Sequence, residues 1–219
     1  ILNPNGSVYR VKQVHGDRVL TPKEILLAQS LGEKNSYPDG DGVITDAIHQ
    51  AVWVASADCN PVLIGDVSTG RVSAIHAGWR GTAKKIVPEA IALLVKMGSD
   101  LEDLRIAMGP AIAGEVYQVA ETVAAEVGAS IIPDAQAETE STIVAALRQL
   151  NNSPILEDST PQKVRLDVRR VNQIQLEQLG IDPQQIAIAP YCTYQHGDRF
   201  FSYRRTQEKK VQWSGIISQ

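Results

Sequence analysis

Four short runs rich in Val and Ile follow one another within 34 residues: VIT (43–45), AVWVASA (51–57), PVLIG (61–65) and RVSAIH (71–76). Runs of this length, punctuated by Gly, Pro and Asp, read as strands. Asp66-Val67-Ser68-Thr69-Gly70 joins the last two at hairpin length. Strands joined this way are antiparallel, whereas parallel neighbours need a long crossover. The sheets of this chain are therefore mixed and not wholly parallel.

Helical signals interleave with the strands. A helix is expected to start near Thr82, with Ile86, Val87, Ala90, Ile91, Leu94 and Val95 on one face and a kink or late start at Pro88. RIAMGP (105–110) reads as a strand. Residues 114–127 read as a helix carrying Val116, Val119, Ala120, Val123 and Ala124, and 139–150 as another. Residues 151–162 form a polar loop. Asp167 then caps a helix holding Val168, Val171, Ile174, Leu176 and Leu179, which Gly180 ends. IAIAP (186–190) and FFSYRR (200–205) are the closing strands. No repeat, low-complexity stretch or linker intervenes, so the fold class is α/β. Residues 1–219 form a single domain of mixed β-sheets flanked by helices, long enough to bury a substantial core. The opening ILNPNGSVYRV lacks an initiating Met and is no signal peptide, which predicts further sequence upstream of Ile1.

Net charge is −4, and no basic run exceeds Arg169-Arg170, Arg204-Arg205 or Lys209-Lys210. Nucleic acid and anionic membrane are thereby excluded as main partners, and small anions remain. No apolar run approaches the roughly 18 residues that would span a bilayer. Cys59 and Cys192 are the two cysteines, far apart in sequence. They predict no disulfide framework and a reducing, cytoplasmic setting. No oligomer is indicated.

Of four histidines, two stand in unusual settings, QVHGD (13–17) and AIHAG (74–78). With Cys59 in ADCNP (57–61), each falls at a strand end followed by a breaker: Gly16, Pro61 or Gly78. Side chains at strand ends reach into clefts. Two imidazoles and a thiolate form a three-ligand set for zinc that leaves a fourth position open. Each residue also has an ordinary reading, the cysteine as a small buried hydrophobe and the histidines as hydrogen-bonded structural groups. The residues alone leave that choice open. His49 reads as exposed, and His196 with Cys192 as part of a structural turn.

QVHGDRV (13–19), DGDGVITD (39–46), ADCNPVLIGD (57–66), AIHAGWRGTAKKIV (74–87), MGPAI (108–112) and FFSYRR (200–205) occur here in one order. Together they resemble the laccase-domain family, also labelled multicopper polyphenol oxidase or peptidoglycan-editing factor. The resemblance runs from about Val11 to the end of the chain and implies that family's layered architecture. Purine nucleoside phosphorylase and adenosine deaminase activities have been assigned to members. It also implies a metal site at His15, Cys59 and His76, the same strand-end residues. Two departures stand out. Members carry a glycine-rich, arginine-bearing segment upstream of where this chain begins, and many have cysteines where this one has AIAGE (111–115).

On this footing the expected activity is zinc-dependent phosphorolysis of inosine, adenosine or methylthioadenosine and deamination of adenosine, with purine nucleosides and phosphate as small-molecule partners. Cys59 enters the site as a ligand. Asp58 or Asp41 supplies the carboxylate that a deaminase uses for proton transfer. Arg80 is expected just before a helix that follows Gly81, where a guanidinium and free N–H groups would hold phosphate. Trp79 is a pocket wall or a core anchor. Gln13, Asp41, Tyr203 and Arg204 are the expected substrate contacts, with Tyr203 on one face of the FFSYRR strand and Arg204 on the other. Two alternatives stand beside this. One is a metal-independent hydrolase with Cys59 as nucleophile and His76 as base, editing a peptidoglycan precursor. The other is a single-copper polyphenol oxidase, because copper outcompetes zinc in the affinity series. A laccase proper also needs a trinuclear cluster, for which four histidines are too few.

Overall fold

The computed structural model describes residues 6–32 and 37–219. In chain order its elements are β1 (Ser7–Tyr9), β2 (Val19–Leu20), α1 (Pro22–Leu31), β3 (Gly42–Ile44), β4 (Gln50–Ser56), β5 (Asn60–Asp66) and β6 (Val72–Ala77). There follow α2 (Trp79–Ala83), α3 (Ile86–Lys96), β7 (Leu104–Met108), β8 (Gln118–Ala120), α4 (Glu121–Gly128) and α5 (Glu140–Gln149). The chain closes with β9 (Ile155–Glu157), β10 (Lys163–Leu166), α6 (Val168–Gln178), β11 (Ile186–Ile188), α7 (Tyr203–Thr206) and β12 (Gln212–Ile217).

A six-stranded sheet, ordered β11-β7-β5-β6-β3-β2, forms the centre. It is mixed: β5 pairs antiparallel with β6 and β7, while the outer pairs β11/β7 and β2/β3 are parallel. Strand alternation gives it two apolar faces. Val62, Ile64 and Ile75 pack against Ile86, Ala90 and Leu94 of α3 and Leu176 of α6. Val72, Ala74 and Val43 point the other way, onto Val52 and Val54 of the small sheet β1-β4-β12. A third sheet, β8-β10-β9, packs on α4, α5 and α6 through Val164, Leu166, Val127 and Leu147. Each such buried large side chain is worth about 1.5–3 kcal/mol of transfer free energy. No helix among the described residues is long and apolar enough to cross a membrane.

The hairpin at 66–70 forms as expected: Asp66 Oδ1 accepts the Ser68 and Thr69 N–H groups, and Gly70 sits at φ +71°. Other expectations are corrected. The helix expected near Thr82 is two helices, broken at Lys85 in the left-handed region (φ 62°). Pro88 falls in the first turn of α3, where an N–H would have no helical partner. Val95 and Leu179, read as inward, are 44% and 39% exposed. Where a helix over 114–127 was expected, α4 begins only at Glu121 and runs to Gly128, because Gln118–Ala120 pairs with β10. The polar loop 151–162 contains β9. FFSYRR is not a strand: the Ser202 hydroxyl accepts the Arg205 N–H and starts α7, which removes the two-faced arrangement read from it. The strand that closes the chain is β12, paired along β4.

Candidate metal centre

The register of the β5/β6 hairpin sets Pro61 opposite His76 and Asn60 opposite Ala77, so Cys59 and His76 leave the sheet at the same end. His15 comes to them from the loop between β1 and β2. One ligand atom from each of His15, Cys59 and His76 lies within 4.8 Å of the others. The two imidazole rings stand edge to face, 4.9 Å between centroids. His76 is buried, Cys59 half-buried and His15 exposed, so the group opens to solvent on one side.

Asp41, on the loop entering β3, aims two of the three donors. Its Oδ1 lies 2.9 Å from His76 Nδ1, and its carboxylate accepts the N–H groups of Val14, His15 and Gly16 at 3.1, 2.9 and 2.7 Å. Those bonds hold His15 in the left-handed region (φ 59°). With Asp41 ionised, the Nδ1 proton stays on His76 and Nε2 is directed to the cluster, the arrangement typical of a metal-ligating histidine. Burial raises the Asp41 pKa, but the His76 hydrogen bond and the Gly16 and Val14 N–H groups outweigh it, and the net shift is downward. Asp41 is fully buried. The structure places this expected substrate contact with its carboxylate bonded to His76 and to the Val14, His15 and Gly16 N–H groups.

Gly78 and Gly81 are needed for room. Gly78 has φ −69°, which any residue adopts, but a Cβ there would sit 2.8 Å from Cys59 Sγ. A Cβ on Gly81 would meet the Gly16 carbonyl oxygen at 2.8 Å.

Charges within the cluster reinforce one another. Burial pushes the Cys59 thiol up, but hydrogen bonds and charge from His15 and His76 bring it down to about 6. Burial lowers His76, while Asp41 and then Cys59 raise it to about 9. The metal-free cluster is thus a thiolate–imidazolium pair near neutral pH.

The donors line a cavity of about 420 Å³, walled by Tyr203, Trp213 and Val11, with Glu208, Lys209 and Lys210 at its edge. Gln13 also lines it, but its amide is doubly paired with the Ala55 backbone, Nε2 to O and Oε1 from N, both at 2.8 Å. A larger cleft of about 560 Å³ lies beyond Trp213, between Val8, Arg10, Tyr37 and Trp53, and holds none of the three donors.

The remaining expected residues are placed differently. Asp58 has both carboxylate oxygens engaged, Oδ1 by the Thr193 hydroxyl and Oδ2 by the Arg204 N–H, each at 2.7 Å. Both oxygens of the carboxylate expected to transfer protons are thus hydrogen-bonded within the chain. Arg204 lays its guanidinium 4.8 Å over the Tyr117 ring and donates to the Gln118 carbonyl. Arg80 lies inside α2, exposed and stacked 4.2 Å over Trp79, and the next helix begins only at Ile86. The helix start expected after Gly81 is absent, and α2 is a short helix of five residues that already begins at Trp79. Trp79 packs on the third sheet's core. His49 is exposed. His196 Nδ1 lies 3.0 Å from the Cys192 carbonyl, the structural turn expected there. Trp213 and Glu208 line the cavity without having been singled out in the sequence: Trp213 is brought there by the pairing of β12 with β4, and Glu208 by the segment between α7 and β12.

Residues 2–218 match the family described as multi-copper polyphenol oxidoreductase laccase. A Synechocystis protein named purine nucleoside phosphorylase is 56% identical over 217 residues, 99% of this chain and 82% of that protein. A protein of an unknown prokaryotic organism named adenosine deaminase is 25% identical over 198 residues, 89% of this chain and 68% of its own length. The crystal structure of YlmD from Geobacillus stearothermophilus superposes with a TM-score of 0.80 at 25% identity, covering 97% of this chain and 73% of that one.

Proposed function

We propose, since the chain belongs to the multi-copper polyphenol oxidoreductase laccase family, that it is a metal-dependent enzyme of purine nucleosides. It cleaves inosine, adenosine or methylthioadenosine with phosphate and deaminates adenosine, with residues 1–219 acting as one domain in a reducing, cytoplasmic setting. The observation that carries this reading is the convergence of His15, Cys59 and His76 on one open cavity, in a chain 56% identical to a protein named for phosphorolysis.

The donor set fits zinc. Ligand atoms about 2.0–2.3 Å from a common point, at tetrahedral angles, lie roughly 3.3–3.8 Å apart, within the 4.8 Å limit observed. His76 carries the carboxylate partner on its far nitrogen, and Gly78 leaves the space the sulfur needs. Bound zinc supplies Lewis acidity and lowers the pKa of nearby water. The chain's own residues do the rest. Tyr203 and Trp213 offer aromatic faces to the base. Glu208, the carboxylate among the described residues lining the cavity apart from the donors, takes the proton-transfer role that a deaminase needs. Lys209 meets phosphate at the rim, in place of Arg80. Chelation abolishing both reactions, with zinc restoring them, is the test.

A second reading has one observation in its favour. The lowered Cys59 thiol beside His76 is also the signature of a cysteine nucleophile with its base, and a hydrolase of this kind would work without metal. Copper at the same three donors is the remaining alternative, with affinity order in its favour. His49 and His196 are not part of the cluster, so a multinuclear copper centre does not fit this chain.

A further inference from the structure

We infer that Thr193 is a positioning residue for the metal-ligand cysteine, acting through the Asp58 side chain; the inference rests on the reading of His15, Cys59 and His76 as metal ligands. Asp58 immediately precedes Cys59 and has φ +95°, a backbone conformation that residues with a Cβ adopt only when their surroundings hold them there. That φ sets the direction in which the chain leaves Asp58, and so where Cys59 Sγ points.

Three bonds hold it. The Thr193 hydroxyl donates to Oδ1 at 2.7 Å, the Arg204 N–H donates to Oδ2 at 2.7 Å, and the Ile112 N–H donates to the Asp58 carbonyl at 2.9 Å. Of these, Thr193 alone contributes a side chain, and it is fully buried. Its own backbone is fixed in turn. The Thr193 N–H donates to the Ala111 carbonyl at 3.1 Å, and its carbonyl accepts Arg205 Nη1 at 2.6 Å. The same guanidinium donates to the carbonyls of Tyr194 and Phe200, both at 2.7 Å. The loop from Thr193 to Arg205 is thus tied to itself, and it presents one hydroxyl and one N–H to a residue 135 positions earlier.

A strained backbone angle persists only while its surroundings hold it, and a buried polar oxygen left without a donor costs free energy that movement of the side chain relieves. Without the Thr193 hydroxyl, Oδ1 has no described partner, the Asp58 backbone relaxes toward ordinary φ, and Sγ swings away from the imidazoles. Zinc and cobalt ligation tolerates only a few tenths of an ångström at sulfur.

The test uses cobalt(II) as the probe, because thiolate ligation gives a near-ultraviolet charge-transfer band that depends on the Co–S bond and not on turnover. Wild type and Thr193→Ser should show the band. Thr193→Val should lose or shift it, with cobalt and zinc affinity falling about 10- to 100-fold, the range for removal of a ligand's supporting partner. Val164→Ala, a core change in the third sheet, controls for lost stability and should keep the band. Should Thr193→Val fail to fold, Thr193→Ala removes the same donor without adding a methyl against the carboxylate. An unchanged band and affinity in the folded Val or Ala variant would overturn the inference while leaving the metal site standing. A wild-type protein without the band would overturn the metal site and the inference with it.

Discussion

Asp41 Oδ1 sits 2.9 Å from His76 Nδ1, and the same carboxylate takes the N–H groups that hold His15 in its left-handed turn. One buried side chain therefore aims two donors that lie 61 positions apart in the sequence. Asp41→Asn keeps the volume but weakens the charge-assisted bond and can present an N–H toward the ring. Zinc affinity should drop about 10- to 100-fold in a competition titration with a chromophoric chelator. An Asn variant that binds zinc like wild type would reduce Asp41 to a loop anchor.

The thiolate–imidazolium pair has a pH signature in metal-free protein. Cys59 is lowered to about 6, so its thiolate is fully formed above that pH and lost as pH falls through it. Alkylation of Cys59 by iodoacetamide should rise with a midpoint near 6, and a stoichiometric zinc addition should protect it. Because His76 is raised to about 9, zinc uptake between those two values should release about one proton, measurable by calorimetry in buffers of different ionisation enthalpy. A midpoint near the ordinary thiol value would show that the imidazoles do not act on the sulfur.

Gly78→Ala places a Cβ 2.8 Å from Cys59 Sγ without demanding any unusual backbone angle. The substitution should abolish tight zinc binding while leaving the far-ultraviolet circular dichroism spectrum unchanged. Retention of wild-type affinity would mean that the cluster can be rebuilt around the methyl group.

Two basic residues are candidates for phosphate recognition. Lys209 lines the cavity, whereas Arg80 stacks on Trp79. Loss of a charge-assisted hydrogen bond costs about 1.5–3 kcal/mol, roughly tenfold or more. Lys209→Ala should raise the KM for phosphate by that factor and leave adenosine deamination nearly untouched, while Arg80→Ala should change either reaction less than about twofold. A larger phosphate effect at Arg80 would return the anion site to α2.

The central sheet was readable because β3, β5 and β6 are Val- and Ile-rich runs bounded by breakers, and Cys59 and His76 because each stands beside such an end; His15, expected at a strand end, lies instead in the loop between β1 and β2. Other elements carried misleading or weak signals. Val116, Val119, Ala120 and Val123 have helical spacing, yet pairing of Gln118–Ala120 with β10 prevails. In FFSYRR the two-residue alternation suits a strand, and the Ser202 cap decides otherwise. α1 has a legible start in Thr21-Pro22-Lys23-Glu24, a capping box with Pro at the first helical position. β12 contains Gln212, Ser214 and Gly215 and becomes a strand only beside β4, about 160 positions earlier. Asp41 lies in DGDG, which reads locally as a turn. Nothing near it in sequence points to His76, 35 positions on.

The most direct measurement is inosine phosphorolysis and adenosine deamination by the same protein preparation before chelation, after complete metal removal, and after zinc is added back. The purified protein should hold about one zinc per chain, lose both activities on removal, and regain both with one equivalent. Full turnover of either nucleoside by metal-free protein would contradict metal dependence and would favour Cys59 acting as a nucleophile with His76 as its base.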